Sequence, residues 1–254
     1  MIRRPPRSTL DRSSAASDVY KRQELLSSLE GPSLANRNPL PSFTEVSKKH
    51  SKPHPAVLIV GAPGSGKGTQ GKVLGALPRF FHCACGDIFR SLDTRTSLGQ
   101  KFVEHSSKGE LVPDELTIDL WKVQIDNWIE TYHYKPDIDI LVLDGIPRNV
   151  QQAEILDRYI EVYRVIHLTC PDREELARRM RKRALKDNRF DDASDEVINH
   201  RIETYVDETR PLIDYYEGKV SDVDATRQPV EVLGMIIAEI VKLDAYMERA
   251  KIVV

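Results

Sequence analysis

Cysteine is scarce in this 254-residue chain, and so are long apolar runs and any sustained surplus of one charge. The three cysteines, Cys83, Cys85 and Cys170, are odd in number and include no CxxC pair. That argues against a disulfide framework or a structural zinc site and suits a reducing compartment. No apolar stretch approaches the roughly 18 residues needed to cross a bilayer, because Gly, Asp or His interrupts the longest ones. Net charge is −2, from 37 basic and 39 acidic residues. With no block of either sign over the folded part, neither nucleic acid nor a membrane is expected as a partner. No internal repeat is detectable. These absences leave a soluble domain, expected in the cytoplasm.

The first 54 residues differ in kind: Ser, Pro, Arg and Lys dominate without a sustained hydrophobic period, so the segment reads as disordered. Residues 1–23 carry six basic and two acidic side chains, which suits a plastid or mitochondrial transit peptide. The string SSAASDVYKRQ also resembles translated adapter read-through, and an artefact is the reading we favour. Residues 24–54 then read as a linker or the end of a lost upstream segment, and a single domain is expected over 55–254.

What is present is concentrated in ten residues. An apolar run, Ala56 to Val60, leads into GAPGSGKGTQ, Gly61 to Gln70, and then into a plausible helix. Gly61, Gly66 and Lys67 fit G-x-x-x-x-G-K, the loop whose backbone N–H groups converge on phosphate oxygens. The segment Gly61, Ala62, Pro63, Gly64, Ser65, Gly66, Lys67, Gly68 and Thr69 would form the cradle, with Lys67 reaching the terminal phosphates. A helix from about Gly68 would add its positive end. One departure is Gly68, where Ser or Thr usually follows the lysine; Thr69 comes one place late.

From Pro55 onward strands and helices alternate. Strands are predicted at 56–60, 80–84, 139–143, 164–169 and 219–223. Helices are predicted at 67–77, 172–185, about 194–217 and from 229, with helical material from 87 to about 132. This is an α/β pattern with a five-stranded parallel sheet covered on both faces, a three-layer arrangement with ligands at the carboxyl edge. Asp144 closes the strand IDILVLD, and a carboxylate ending a buried run needs a partner. Two roles fit, a cap for the following turn or a contact to Mg²⁺.

The ending GKGTQ resembles the P-loop nucleoside monophosphate kinases, and further motifs follow in that family's order. HCACGDIFR (His82 to Arg90) is similar to its monophosphate-binding segment, and LVLDGIPRNVQQAE (Leu141 to Glu154) to its base-reading loop. RRMRKR with NRFDD (Arg178 to Asp192) resembles its lid, and RIETYVDETRPLIDYY (Arg201 to Tyr216) its closing helix. The likeness covers about residues 55–241. It implies a P-loop fold with a helical monophosphate-binding insertion at about 86–115 and a short lid at about 184–196, acting as a monomer on ATP, AMP and ADP with Mg²⁺. Asp144 would meet the metal through water. Cys85, Gly86, Arg90, Gly145, Arg148 and Gln152 would bind AMP. Lys67, Arg148, Arg183, Arg189 and Arg201 would gather on the transferring group, with Arg189, Asp191 and Asp192 as the lid's R-x-D-D. Arg179 would pack on the donor base, near Gln228, Pro229 and Val230.

Three departures bear on that expectation. Cys85 stands where the family places Thr, removing a hydroxyl. Arg201 comes one residue later than the pattern, which we place as an insertion within 193–196; the other register would put His200 there. Gln152 favours the branch that phosphorylates AMP, whereas Asn149 keeps the UMP/CMP branch open. A nucleotide-binding module without catalysis is the competing class, opposed by Lys67, Asp144 and the arginines. Cys83 and Cys85, two apart, would share a strand face, where packing is favoured over a redox pair.

Overall fold

The computed structural model describes residues 52–187 and 194–243. Strand β1 (His54–Gly61) holds the centre of the sheet because both of its faces are apolar. Ala56, Leu58 and Val60 enter one core and Val57 and Ile59 the other, the pattern of a parallel strand covered on both sides. β1 pairs with β3 (Ile140–Asp144) and β4 (Ile160–Thr169). β2 (Phe80–Ala84) and β5 (Val220–Asp224) add the edges, so the all-parallel order is β2-β3-β1-β4-β5. The fold class is thus the α/β, five-stranded one expected. The chain reverses its direction of travel between neighbouring β1 and β4, which places a ligand crevice at their carboxyl ends.

Helices follow as α1 (Lys67–Leu74), α2 (Cys85–Arg90), α3 (Ser97–Lys108), α4 (Asp114–Glu130), α5 (Val150–Leu156), α6 (Arg173–Asp187), α7 (Asp195–Thr204), α8 (Leu212–Tyr215) and α9 (Pro229–Ile240). Leu74 of α1 and Val232, Ile236 and Ile240 of α9 cover one face of the sheet. Ile118, Trp121 and Ile125 of α4, with Ala153 and Leu156 of α5, cover the other. A third cluster joins Leu176, Ala177 and Met180 of α6 to Ile198 and Ile202 of α7, over Ala62.

Two expected helices are divided. The stretch from 87 to about 132 is three helices: Thr96 caps α3 by accepting from the Gly99 N–H, Gly109 ends it at φ 79°, and Pro113 precedes α4. Polar stretches, 93–97 and 104–110, fall at these breaks, and the caps stop the hydrogen-bond ladder there. The stretch from 194 to 217 is α7, a π-helical turn at Tyr205–Thr209, and α8. At the start, β1 begins at His54, one residue before the expected domain boundary. Residues 1–51, and with them the reading of that segment, lie outside the described residues, as do Arg189, Asp191 and Asp192.

Candidate active site

The glycine-rich loop leaves β1 at the sheet's carboxyl edge and enters α1. Gly64 has φ 85°, and a Cβ there would stand 2.8 Å from the Leu176 carbonyl; Gly66, N-cap of α1, has φ 99°. Both conformations cost an L side chain energy, so the loop's shape depends on these glycines. Ser65 is buried, and its Oγ has no hydrogen-bond partner within the protein. A buried hydroxyl without a protein partner in this loop suits a phosphate oxygen. Lys67 Nζ donates to the carbonyls of Gly61 at 2.7 Å and Ala62 at 3.1 Å.

Burial pushes the Lys67 ammonium down to about 8; Asp144 opposes the shift, and Arg183, Arg148 and Arg201 reinforce it. Four cations from α1, the loop after β3, α6 and α7 therefore share one electrostatic site. Asp144 ends β3 next to them, and its Oδ2 would lie 3.4 Å from a Cβ on Gly68. The His82 Nε2 stands 3.9 Å from the same oxygen. Among the described residues no cluster of three or more His, Cys, Asp or Glu could cage a metal. The donor set fits instead an ion that keeps its waters and takes phosphate oxygens, with Asp144 as the protein's carboxylate.

Around the opening of α2, Cys85, Arg90 and Arg148 share one electrostatic neighbourhood. Burial raises the Cys85 thiol to about 11 and the Cys83 thiol well above its ordinary value. Both cysteines are core side chains, but they do not share a strand face as expected, because Cys83 lies within β2 and Cys85 opens α2; a raised pKa makes neither a reactive thiolate. Arg90 donates to Asp87 at 2.6 Å and lies along Gly86. Arg148 Nε donates to the Gly145 carbonyl at 3.1 Å, beyond a cis Ile146–Pro147 bond.

Gln152 is fully buried. Its Oε1 accepts from the Arg148 N–H at 2.8 Å, and its Nε2 donates to Asp114 Oδ1 at 2.7 Å. Asn149 is nearly as buried: its Oδ1 caps α5 by accepting from the Gln152 N–H, and its Nδ2 donates to both Asp114 oxygens. Asp114 was not among the residues the sequence singles out. The Pro-Asp pair marks a helix start, but nothing local shows that this carboxylate receives two amides from 35 and 38 residues away. A hollow of about 320 Å³ opens beside Asp114 and Asn149, lined also by Val112, Pro113 and His200.

On α6, Arg179 donates to Glu175 at 2.7 Å and to the Ala225 carbonyl at 2.9 Å. That contact brings it to the turn before Gln228, Pro229 and Val230, where Gln228 and Glu231 form a capping box. Gln70 of α1 donates to the Pro229 carbonyl at 2.9 Å, tying this turn to the phosphate loop. Arg178 and Arg181 are held by Glu175, Glu174 and Asp195, away from the cation cluster. Between His200 and Arg201, it is Arg201 that lies in electrostatic reach of Lys67 and Arg148, its Cγ 3.0 Å from where a Gly109 Cβ would be.

The family model described as adenylate kinase matches residues 59–221. The adenylate kinase of Dehalococcoides mccartyi is 33% identical over 72% of this chain and 97% of its own length. Those of Ruminiclostridium cellulolyticum and Thermobifida fusca are 35% and 37% identical, over 70% and 69% of this chain and 99% and 92% of theirs.

Proposed function

This chain belongs to the adenylate kinase family, and we propose that it transfers the terminal phosphoryl group of ATP to AMP, reversibly and with Mg²⁺, under a short closing lid. It is a nucleoside monophosphate kinase, a phosphotransferase of nucleotide biosynthesis. The observation that carries the mechanistic reading is the convergence of Lys67, Arg148, Arg183 and Arg201 with Asp144 at one sheet edge.

The attacking oxygen of a monophosphate is already anionic, so the site needs no general base. Its work is alignment, charge neutralisation and exclusion of water. The loop at Gly61–Thr69 orients the donor phosphates, and Lys67, Arg183 and Arg201 stabilise negative charge on the transferring group. Arg90 and Arg148 hold the acceptor phosphate, Arg179 and the Gln228–Val230 turn hold the donor base, and Gln152 reads adenine. Arg189, Asp191 and Asp192 complete the lid in this reading. Mg²⁺ would be held by Asp144 through water and would neutralise phosphate charge.

The amide of Asn149, like that of Gln152, is held by Asp114, so the choice between AMP and a pyrimidine acceptor falls to experiment. The reading is tested by incubating the protein with Mg²⁺, ATP and AMP, CMP or UMP and measuring ADP formation. AMP should be the best acceptor. ATP binding without ADP production would leave only a nucleotide-binding module, and a better rate with CMP or UMP would move the chain to the pyrimidine branch.

A further inference from the structure

We propose that Asp114 is the positioning residue that sets acceptor selectivity between adenine and 6-oxopurines, by fixing which way round the Gln152 amide lies. The inference rests on the reading of Gln152 as the residue that meets the acceptor base.

A glutamine side chain is nearly symmetric in shape but not in polarity: one end only accepts and the other only donates. Left free, it can rotate by half a turn and offer either end to a ligand. On the edge that carries N1, adenine pairs a donor amine with an acceptor nitrogen, and hypoxanthine pairs an acceptor oxygen with a donor N–H. An amide that can turn over therefore accommodates both bases; one that cannot must choose.

In this fold the amide is held from two sides by partners of single polarity. The Arg148 N–H can only donate, and it takes Oε1 at 2.8 Å. The Asp114 carboxylate accepts when ionised, and it takes Nε2 at 2.7 Å. Turning the amide over would set nitrogen against an N–H and oxygen against a carboxylate, both repulsive in a buried site. The carboxylate is itself fixed. Asn149 Nδ2 donates to its two oxygens at 3.0 and 3.1 Å, and Asp114 opens α4, where the helix end favours negative charge. These contacts use one lone pair of Oε1 and one N–H of Nε2, leaving one of each for a base. The remaining oxygen lone pair suits the amine of adenine. Asp114 and Asn149 line the hollow with Val112 and Pro113, whereas Gln152 itself is buried and forms no part of its wall.

The test compares kcat/KM for AMP and for IMP in the wild type, Asp114→Asn and Gln152→Leu, with melting temperature as a check on folding. In Asp114→Asn the side chain at 114 accepts or donates, so one of the two locks is lost. The AMP:IMP ratio should fall by about tenfold, part of the fall being a gain for IMP. A residue that only supports the fold would lower both substrates together and leave the ratio unchanged. Should Asp114→Asn not fold, Asp114→Ser, whose hydroxyl also turns either way and suits a helix start, carries the same expectation. If Gln152→Leu collapses the ratio while the Asp114 variants keep it, Gln152 reads the base and the proposal about Asp114 is wrong. If Gln152→Leu leaves the ratio intact, the reading of Gln152 fails and takes the proposal with it.

Discussion

Burial makes Lys67 costly to the fold, and in the proposed reaction its charge is needed; the two roles separate with pH. Its folded pKa is about 8 against 10.5 for the free side chain, so between those values the unfolded chain holds a proton that the folded chain has released. The stability linked to this group is fully present above the unfolded value and is lost as pH falls through the folded one. At pH 7 the buried ammonium is thus a burden, and Lys67→Met should raise stability by about 1–2 kcal/mol, a few degrees in Tm. The gain should fade as pH rises from about 8 towards 10.5. The same variant should lose about a hundredfold in turnover, with a smaller change in ATP affinity, because its charge matters most in the transition state. Equal losses would make Lys67 a binding group only. In the wild type, kcat/KM for ATP should decline as pH climbs through about 8 and the free enzyme loses this cation. A second residue, Cys85, should show the opposite trade. Cys85→Thr should lower the KM for AMP about threefold to tenfold by supplying a hydroxyl, while costing the nucleotide-free fold stability because that hydroxyl is buried without the ligand. An unchanged KM would show that the thiol position does not meet the acceptor.

The element that carries the phosphate loop, α1, is seated on β2 by two missing side chains. A Cβ on Gly71 would collide with the outer edge of the His82 imidazole, whereas one on Gly75 would meet the His82 Cβ and approach its backbone nitrogen at 2.9 Å. A ring can swing and a backbone cannot, and alanine in a helix recovers about 1 kcal/mol of propensity over glycine. Gly75→Ala should therefore cost roughly 2–3 kcal/mol, and Gly71→Ala about 1 kcal/mol or less. Adding His82→Ala should relieve the Gly71 variant. The reverse order in thermal melts would show that α1 is not seated through His82. Packing of this kind is invisible in the sequence, where Gly71, Gly75 and His82 belong to no shared motif. The central strands were legible because unbroken apolar runs such as Ala56–Val60 require cover on both faces. The divisions of the long helical stretches were not, since Thr96 and Gly109 act through caps and the Tyr205–Thr209 turn widens a helix without breaking its apolar spacing. Tyr205 itself is set by tertiary contact, its hydroxyl 2.9 Å from His167 Nε2 on β4.

Across the whole molecule, residues that stand in a motif were readable, and residues that act by contact with a distant segment were not. Lys67, Asp144 and the arginines stand in motifs that carry the family likeness, whereas Asp114, which orders Gln152 and Asn149, acts from a different segment. The same division explains a tension in the fold. The chain's net charge is only −2, yet Lys67, Arg148, Arg183 and Arg201 crowd one edge of the sheet. A polyphosphate joining two nucleosides should relieve that repulsion, raising Tm by about 5–10 °C at about a hundred times its Kd, and less at high salt. The last prediction concerns where the working unit begins. All five strands lie within 52–243, and the family match starts at residue 59. His54 is already integral to β1: its N–H donates to the Tyr159 carbonyl at 2.8 Å, and its ring meets Tyr134 with centroids 5.5 Å apart. Tyr134 is almost wholly buried against Phe81, so losing His54 would open the core at the start of the central strand. Removing residues 1–51 should leave turnover and melting temperature nearly unchanged. Removing residues 1–54 should lower the melting temperature by several degrees, about 1–2 kcal/mol for a lost strand hydrogen bond and ring contact, with turnover at low temperature little affected. Equal behaviour of the two truncations would mean that His54 adds nothing to β1, and a large loss already at the shorter cut would mean that the segment before Lys52 supports the enzyme.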